Sequence, residues 1–421
     1  MSMISKLYGR WMTAWETALT MRDENRVVRP VEWGFDWLED FIETAGLRTV
    51  VDRAEKDPAT AEAAMIAVNE AIVRNSDSFF GYRRPTDFRL EQRAPQLFPT
   101  NVRPETLRRD AQLKQMAEEG KLKHAEFLRF TSPVRTPYPE NDLANARWYP
   151  APPEKQKGKP RQAMIVMPQW NADAFSHNVF CSVFNHFGIS ALRLSKPFHD
   201  IRRPAELERS DYAVSSNIGR TIAACRQAVV DIRCCIDWLE SQGYEQFGIL
   251  GTSLGSCYAF IAAAHDPRLR VTAFNHASMS VGDVTWTGQS TRHVRAALEQ
   301  AGMTQTLVDR LWRGISPVSY MQKFAANPKR VEIVHARYDL TFLPEYSHQV
   351  IASFTEHGID FVAKELPCGH YTTGETPYKF IDGWWLGSFV VSSFRDLARK
   401  QPAAAAPQAD PKAAELVERE S

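Results

Sequence analysis

Cysteine is scarce in this chain, and what there is forms no set. The six cysteines at 181, 225, 234, 235, 257 and 368 contain no C-x-x-C pair and no regular spacing. That argues against a structural zinc site and against a disulfide framework. Cys257 and Cys368 are read as small buried hydrophobes rather than reactive thiols. An excess of one charge is missing too: 51 basic residues balance 50 acidic ones, for a formal net charge of +1. The basic footprint of a nucleic-acid binder is therefore absent, and nucleic acid is not an expected partner. No apolar run is long enough to cross a bilayer. The start, Met1-Ser2-Met3-Ile4-Ser5-Lys6, lacks the uninterrupted apolar core of a secretory signal. The expected compartment is the cytoplasm. Internal repeats are also absent, and nothing in the sequence indicates an oligomeric state.

What is present suffices for one large folded body, because 44% of the 421 residues are hydrophobic. Ile4, Leu7, Tyr8, Trp11, Met12, Trp15 and Leu19 recur at helical spacing, with Lys6, Arg10 and Glu16 off the stripe. Such a helix either rests on a membrane surface or packs on its own domain. The polar face is not strongly basic, which favours packing. Residues 33–45, 61–75 and 104–123 also read as helices, so 1–125 is expected to be a mainly helical N-terminal extension. From 126 to 400 the pattern becomes alternation. Short apolar or β-branched runs at 127–130, 144–149, 163–167, 189–194, 247–250, 271–274, 331–334 and 361–366 read as strands. Helices are expected at 180–187, 217–242, 257–264, 345–356 and 378–397. The tail at 401–421 is rich in Ala, Pro and Glu and is expected to be disordered.

The stretch that organises this pattern is Gly251-Thr252-Ser253-Leu254-Gly255, between a strand-like run and a buried helix. Strand, G-x-S-x-G, helix is the nucleophile-elbow arrangement. The turn is so tight that the positions two before and two after the serine must be small. A serine hydroxyl attacks only when a base removes its proton and a third group orients that base. Asp339 follows one strand in Ala336-Arg337-Tyr338-Asp339, and His370 follows the next in Pro367-Cys368-Gly369-His370. Serine, acid and histidine thus fall in the order the elbow asks for, each just past a strand end. Asp283, near His276 after the strand following the elbow, is the rival acid. His177, His199 and His293 could line the pocket but are read as surface or structural residues. Two N–H donors must meet the developing oxyanion. Leu254 supplies one, and the loop Pro168-Gln169-Trp170-Asn171 supplies the other from Gln169 or Trp170, since proline has no N–H.

These residues make the chain resemble the α/β-hydrolase superfamily from about 127 to 397. The resemblance implies an eight-stranded, mostly parallel sheet with helices on both faces, and Ser-His-Asp hydrolysis of an ester, thioester or amide. Lys196-Pro197-Phe198-His199, Arg203-Pro204 and the stretch 238–255 look like the branch containing abhydrolase domain-containing protein 18. The expected activity is that of a serine esterase acting on a small-molecule or lipid-like acyl ester, with no cofactor and no metal. An acyltransferase and a non-catalytic binding protein of the same fold are the alternatives. Residues 279–328 interrupt the alternation with many apolar groups and are expected to form a small cap over Ser253. Within it Trp286 is expected to face substrate and Trp312 to be core.

Overall fold

The computed structural model describes residues 3–400, so the expected disorder of the tail lies outside the described residues. Among these residues nine strands form one sheet: β1 (Arg89–Arg93), β2 (Ala125–Thr131), β3 (Leu143–Tyr149), β4 (Gln162–Met167), β5 (Ile189–Leu194), β6 (Gln246–Thr252), β7 (Leu269–Asn275), β8 (Arg330–Ala336) and β9 (Phe361–Leu366). Their spatial order is β1-β2-β3-β5-β4-β6-β7-β8-β9. The pairs β1–β2, β2–β3 and β3–β5 are antiparallel, and all the others are parallel. The sheet is thus mostly parallel but has nine strands, not eight. The extra one, Arg89-Leu90-Glu91-Gln92-Arg93, is too charged to be read as a strand. It is an edge strand with largely exposed side chains, where charge discourages pairing with another chain.

The central strands are the continuous apolar runs expected of a sheet covered on both faces. β4 and β6 are buried along almost their whole length. One face is covered by the long helix Ile218–Ser241, the elbow helix Leu254–His265 and part of the N-terminal extension. Phe41, Met65, Ile72 and Phe80 of that extension share one core with Trp238, Phe260 and Phe274. The other face is covered by the N-terminal helix Met3–Thr20, the helix Asn178–His186 and the closing helix Tyr378–Lys400. These contribute Met12, Cys181, Phe184, Leu386 and Val390 to a second core. All six cysteines are buried and unpaired. Burial pushes the Cys257 and Cys368 thiols up to about 12, which keeps them protonated and inert.

From β4 the chain turns one way to β5 and then returns to β6 on the other flank. The C-terminal ends of β4 and β6 therefore bracket a topological switch point, the crevice where open α/β sheets bind ligands.

Candidate active site

The elbow is dictated by what its glycines touch. A Cβ on Gly251 would come within 2.4 Å of the Gly255 carbonyl oxygen, and one on Gly255 within 2.2 Å of the Met167 carbonyl oxygen. Neither position admits a side chain, and the second contact presses the elbow helix against the end of β4. Between them Ser253 adopts φ 56 and ψ −121, backbone space that L-residues rarely occupy. Its N–H donates to the Asn275 carbonyl at 2.8 Å, which ties the turn to β7.

The loops after β8 and β9 bring two more groups to this point. Ser253 Oγ lies 2.9 Å from His370 Nε2, and His370 Nδ1 lies 2.8 Å from Asp339 Oδ2. A carboxylate beside Nδ1 places the ring proton there and leaves Nε2 as the acceptor for the serine hydroxyl. The other oxygen, Asp339 Oδ1, accepts the N–H groups of Thr341 and Phe342, both at 2.7 Å. Burial alone would raise the Asp339 pKa, but His370 and His276 reverse this and hold the carboxyl well below its usual range. For His370 burial pulls the pKa down, while Asp339, with a smaller contribution from Glu16, lifts it above the ordinary histidine value. Asp283 does not compete for the ring, since its carboxylate accepts Gln305 Nε2 at 2.7 Å instead.

His276 sits unexpectedly close. Its ring centroid is 4.4 Å from that of His370, and its Nδ1 is 3.0 Å from Asp339 Oδ2. The approach is not directed along the ring N–H, so Nδ1 lacks a hydrogen-bond partner. The contact is a close polar approach of the ring to the carboxylate rather than a directed hydrogen bond. Burial and the neighbouring His370 lower the His276 pKa, which keeps it neutral beside the other ring.

The stripe assigned to the N-terminal helix requires correction at Glu16. That side chain was placed on the polar face, but it is fully buried and points into the His370 loop. Its carboxylate accepts the Tyr371 N–H at 2.8 Å, the Thr372 N–H at 3.0 Å and the Thr372 hydroxyl at 3.1 Å. A Cβ on Gly369 would fall 2.4 Å from the Glu16 carboxylate, so this glycine makes room for it. Burial raises the Glu16 pKa despite these hydrogen bonds. The hydrogen bonds to Tyr371 and Thr372 oppose that rise and tie the carboxyl to the His370 loop. For Glu16→Gln we predict a fall in kcat/KM of about ten- to a hundredfold, the scale of a small misplacement of a catalytic group. The acid limb of the pH profile should also move to lower pH, because a carboxylate that raises the His370 pKa has been removed. An unchanged pH profile and rate in the folded variant would show that the contact is only structural.

The expected oxyanion donors lie at the start of the elbow helix and in the loop after β4. Leu254 opens the elbow helix, where N–H groups have no intrahelical partner. In the loop after β4 the Asn171 N–H is used by His199 Nε2 at 3.2 Å, which leaves Gln169 and Trp170. The Trp170 indole N–H is bonded to the Ser210 carbonyl at 2.9 Å, so only its backbone N–H is available. Lys196, noted in the sequence without a role, and His199, read there as surface or structural, hold this loop from behind. Lys196 Nζ donates to the Gln169 carbonyl at 3.0 Å, and His199 Nδ1 donates to the Pro197 carbonyl at 2.8 Å. Both are almost fully buried, and burial lowers both pKa values. The segment is anchored by two buried ion pairs, Arg193 with Asp200 and Arg202 with Asp231, the latter at 2.8 Å.

A cavity of about 450 Å³ opens over Ser253, with Gln169, Trp170, Leu254, Phe342 and His370 in its walls. His177 reaches it as well, contrary to expectation, and contacts Thr252 Oγ1 at 2.8 Å. Burial lowers the His177 pKa to about 3. Asp382, not singled out from the sequence, also lines the cavity, and burial pushes its pKa up to about 7. The 279–328 segment contributes Val281, Val284, Thr285, Ser290 and Thr291 to the cavity. Most of its other apolar groups, including Met303, Leu311, Trp312 and Met321, pack into the main core. Trp286 is not among the cavity-lining residues. Its ring lies beneath Arg295, 5.2 Å from guanidinium carbon to ring centroid.

Residues 77–332 match the family described as Alpha/beta hydrolase domain containing 18, which is more than half of the chain. The protein belongs to this α/β-hydrolase family. The family match includes the elbow and the Lys196–His199 region but ends before Asp339 and His370. Its start, at residue 77, takes in β1 and the end of the helical extension. No curated protein matches the sequence significantly. Among solved structures, acetyl xylan esterase from Paenibacillus sp. R4 is 11% identical, with a TM-score of 0.50 over 74% of this chain and 92% of its own. Acetyl xylan esterase 1 from Thermoanaerobacterium sp. JW/SL YS485 is 14% identical, with a TM-score of 0.49 over 77% and 93%. At 11% identity the likeness to the Paenibacillus enzyme is one of fold.

Proposed function

We propose that this member of the family is a serine hydrolase of carboxylic esters or thioesters, with Ser253 as nucleophile, His370 as base and Asp339 as orienting acid. The observation that carries this reading is the unbroken pair of hydrogen bonds from Ser253 Oγ through the His370 ring to Asp339. In the reaction Ser253 Oγ attacks the acyl carbon while Nε2 of His370 takes its proton. The raised His370 pKa suits a base that becomes an imidazolium in this step, and the ionised Asp339 stabilises that charge. The developing oxyanion faces the Leu254 N–H and that of Gln169 or Trp170. Collapse of the intermediate passes the proton to the leaving alcohol or thiol. Water, activated by the same imidazole, then releases the acyl group from Ser253.

Turnover of a panel of p-nitrophenyl esters of graded acyl length by the purified protein tests this reading; no turnover of any member would contradict it. The same panel tests the acyl side of the cavity. Val284, which lines the cavity and is buried, should limit acyl length. We predict that Val284→Phe lowers kcat/KM for longer esters relative to acetate by about tenfold, the scale of one to two methylenes in an apolar pocket. Trp286→Ala, outside the cavity wall, should leave the chain-length preference unchanged. The reverse pattern would restore Trp286 to the substrate side.

A further inference from the structure

Exposed apolar side chains are unevenly distributed over this molecule. Met3, Leu7 and Trp11 on the N-terminal helix are 79%, 56% and 53% exposed, and Phe380 and Trp384 on the closing helix are 67% and 73% exposed. Val179, Val183 and the adjoining Phe187 form a third exposed row on the helix Asn178–His186. In each helix these residues recur about every four positions, so each row is a stripe on the outer face. The inner faces of the same helices bury Met12, Phe184 and Leu386 in one core, which places all three in a single layer over one side of the sheet. Tyr8 joins the first helix to the closing helix through a hydrogen bond to Tyr378 at 2.6 Å.

The charge on this layer is one-sided. Its exposed residues include Lys6, Arg10, Lys379 and Arg395, and among the described residues of the three helices the one acid with a substantially exposed side chain is Asp396, 43% exposed and paired with Arg330 and Arg399. The one carboxylate in the first helix, Glu16, is turned inward to the His370 loop. Protein interfaces are depleted in lysine. Aromatic and aliphatic groups among lysines and arginines, with the single partly exposed acid already paired to arginines, instead match the headgroup region of an anionic bilayer. Among the described residues no helix is long and apolar enough to cross a membrane, so contact would be in the plane of the surface. The cavity over Ser253 is lined by Phe180 and Lys379 from two of these helices, so its rim adjoins the layer.

We propose that the face formed by these three helices docks on an anionic lipid bilayer, with Trp11, Phe380 and Trp384 seated in the headgroup region. This does not depend on the hydrolase reading. The test is co-sedimentation of the full chain with vesicles of equimolar phosphatidylcholine and phosphatidylglycerol, alongside a Trp11→Ser, Phe380→Ser, Trp384→Ser variant. The parent should sediment with the vesicles, and each aromatic removed should lower partitioning by about tenfold. The melting temperature and turnover of a water-soluble ester should be retained. Should the triple variant fail to fold, Trp384→Ser alone carries the comparison. Pure phosphatidylcholine vesicles should bind the parent more weakly, since each cation near an anionic surface adds attraction that neutral lipid lacks. A parent that stays in the supernatant, a variant that sediments like the parent, or equal binding to neutral vesicles would overturn the proposal. So would a parent that dimerises in solution through this face, with the triple variant monomeric, while vesicles leave it unbound.

Discussion

Ser253→Ala is expected to lower kcat for ester hydrolysis by roughly four orders of magnitude or more, the scale measured when a nucleophile is removed from such a triad. The fold should survive. The substitution removes one oxygen, while the turn around it is held by groups that remain: the Ser253 N–H on Asn275 and the close contact of Gly255 with Met167. Alanine must still adopt a φ of 56, as serine does, so the strain is common to both. The measurement is single-ester kinetics with thermal unfolding of the same preparation. Loss of activity with an unchanged melting temperature is the predicted result. Full activity in the folded variant would remove Ser253 from the mechanism.

The second large effect belongs to Asp339. Asp339→Asn should cost roughly ten-thousand-fold in kcat, because an amide opposite His370 Nδ1 favours the tautomer with its proton on Nε2, facing the serine. The structure adds a reason for expecting little rearrangement. Asp339 Oδ1 accepts two backbone N–H groups, and the amide oxygen can keep both of them. The NH2 group is then left facing His370. Asp283→Asn is the control and should change the rate little, since Asp283 is engaged by Gln305. A larger loss from Asp283→Asn than from Asp339→Asn would transfer the orienting role.

The elbow and its two partners were legible because their signals are local. Two glycines around a serine, and an acid and a histidine each just past a strand end, can be read within windows of a few residues. Glu16 could not be read this way. Its partners Tyr371 and Thr372 are more than 350 residues away, and a carboxylate on a helix belongs by default to the solvent face. A signal was nevertheless present, since Glu16 is four residues from Met12 and therefore on the same face. Trp286 lies off the cavity wall for a geometric reason. In the short helix Val281–Thr287 the cavity is lined by Val281, Val284 and Thr285, the i, i+3 and i+4 positions of one face. Position 286 is rotated off that face, and side-chain size and flanking threonines do not reveal the rotation. Lys196 was noticed only as a likeness to a family, and His199 also as a surface or structural histidine with no partner named. Their work is to hold the backbone of Gln169 and Asn171, and contacts to backbone leave no trace in residue type.

The central claim is that Ser253 is an activated nucleophile, and covalent labelling tests it most directly. The protein is treated with a fluorophosphonate, digested, and the modified residue located by mass spectrometry. A phosphonyl adduct on Ser253, absent after Ser253→Ala, is the predicted result. An adduct on a different residue, or no adduct on folded protein that turns over esters, would contradict it.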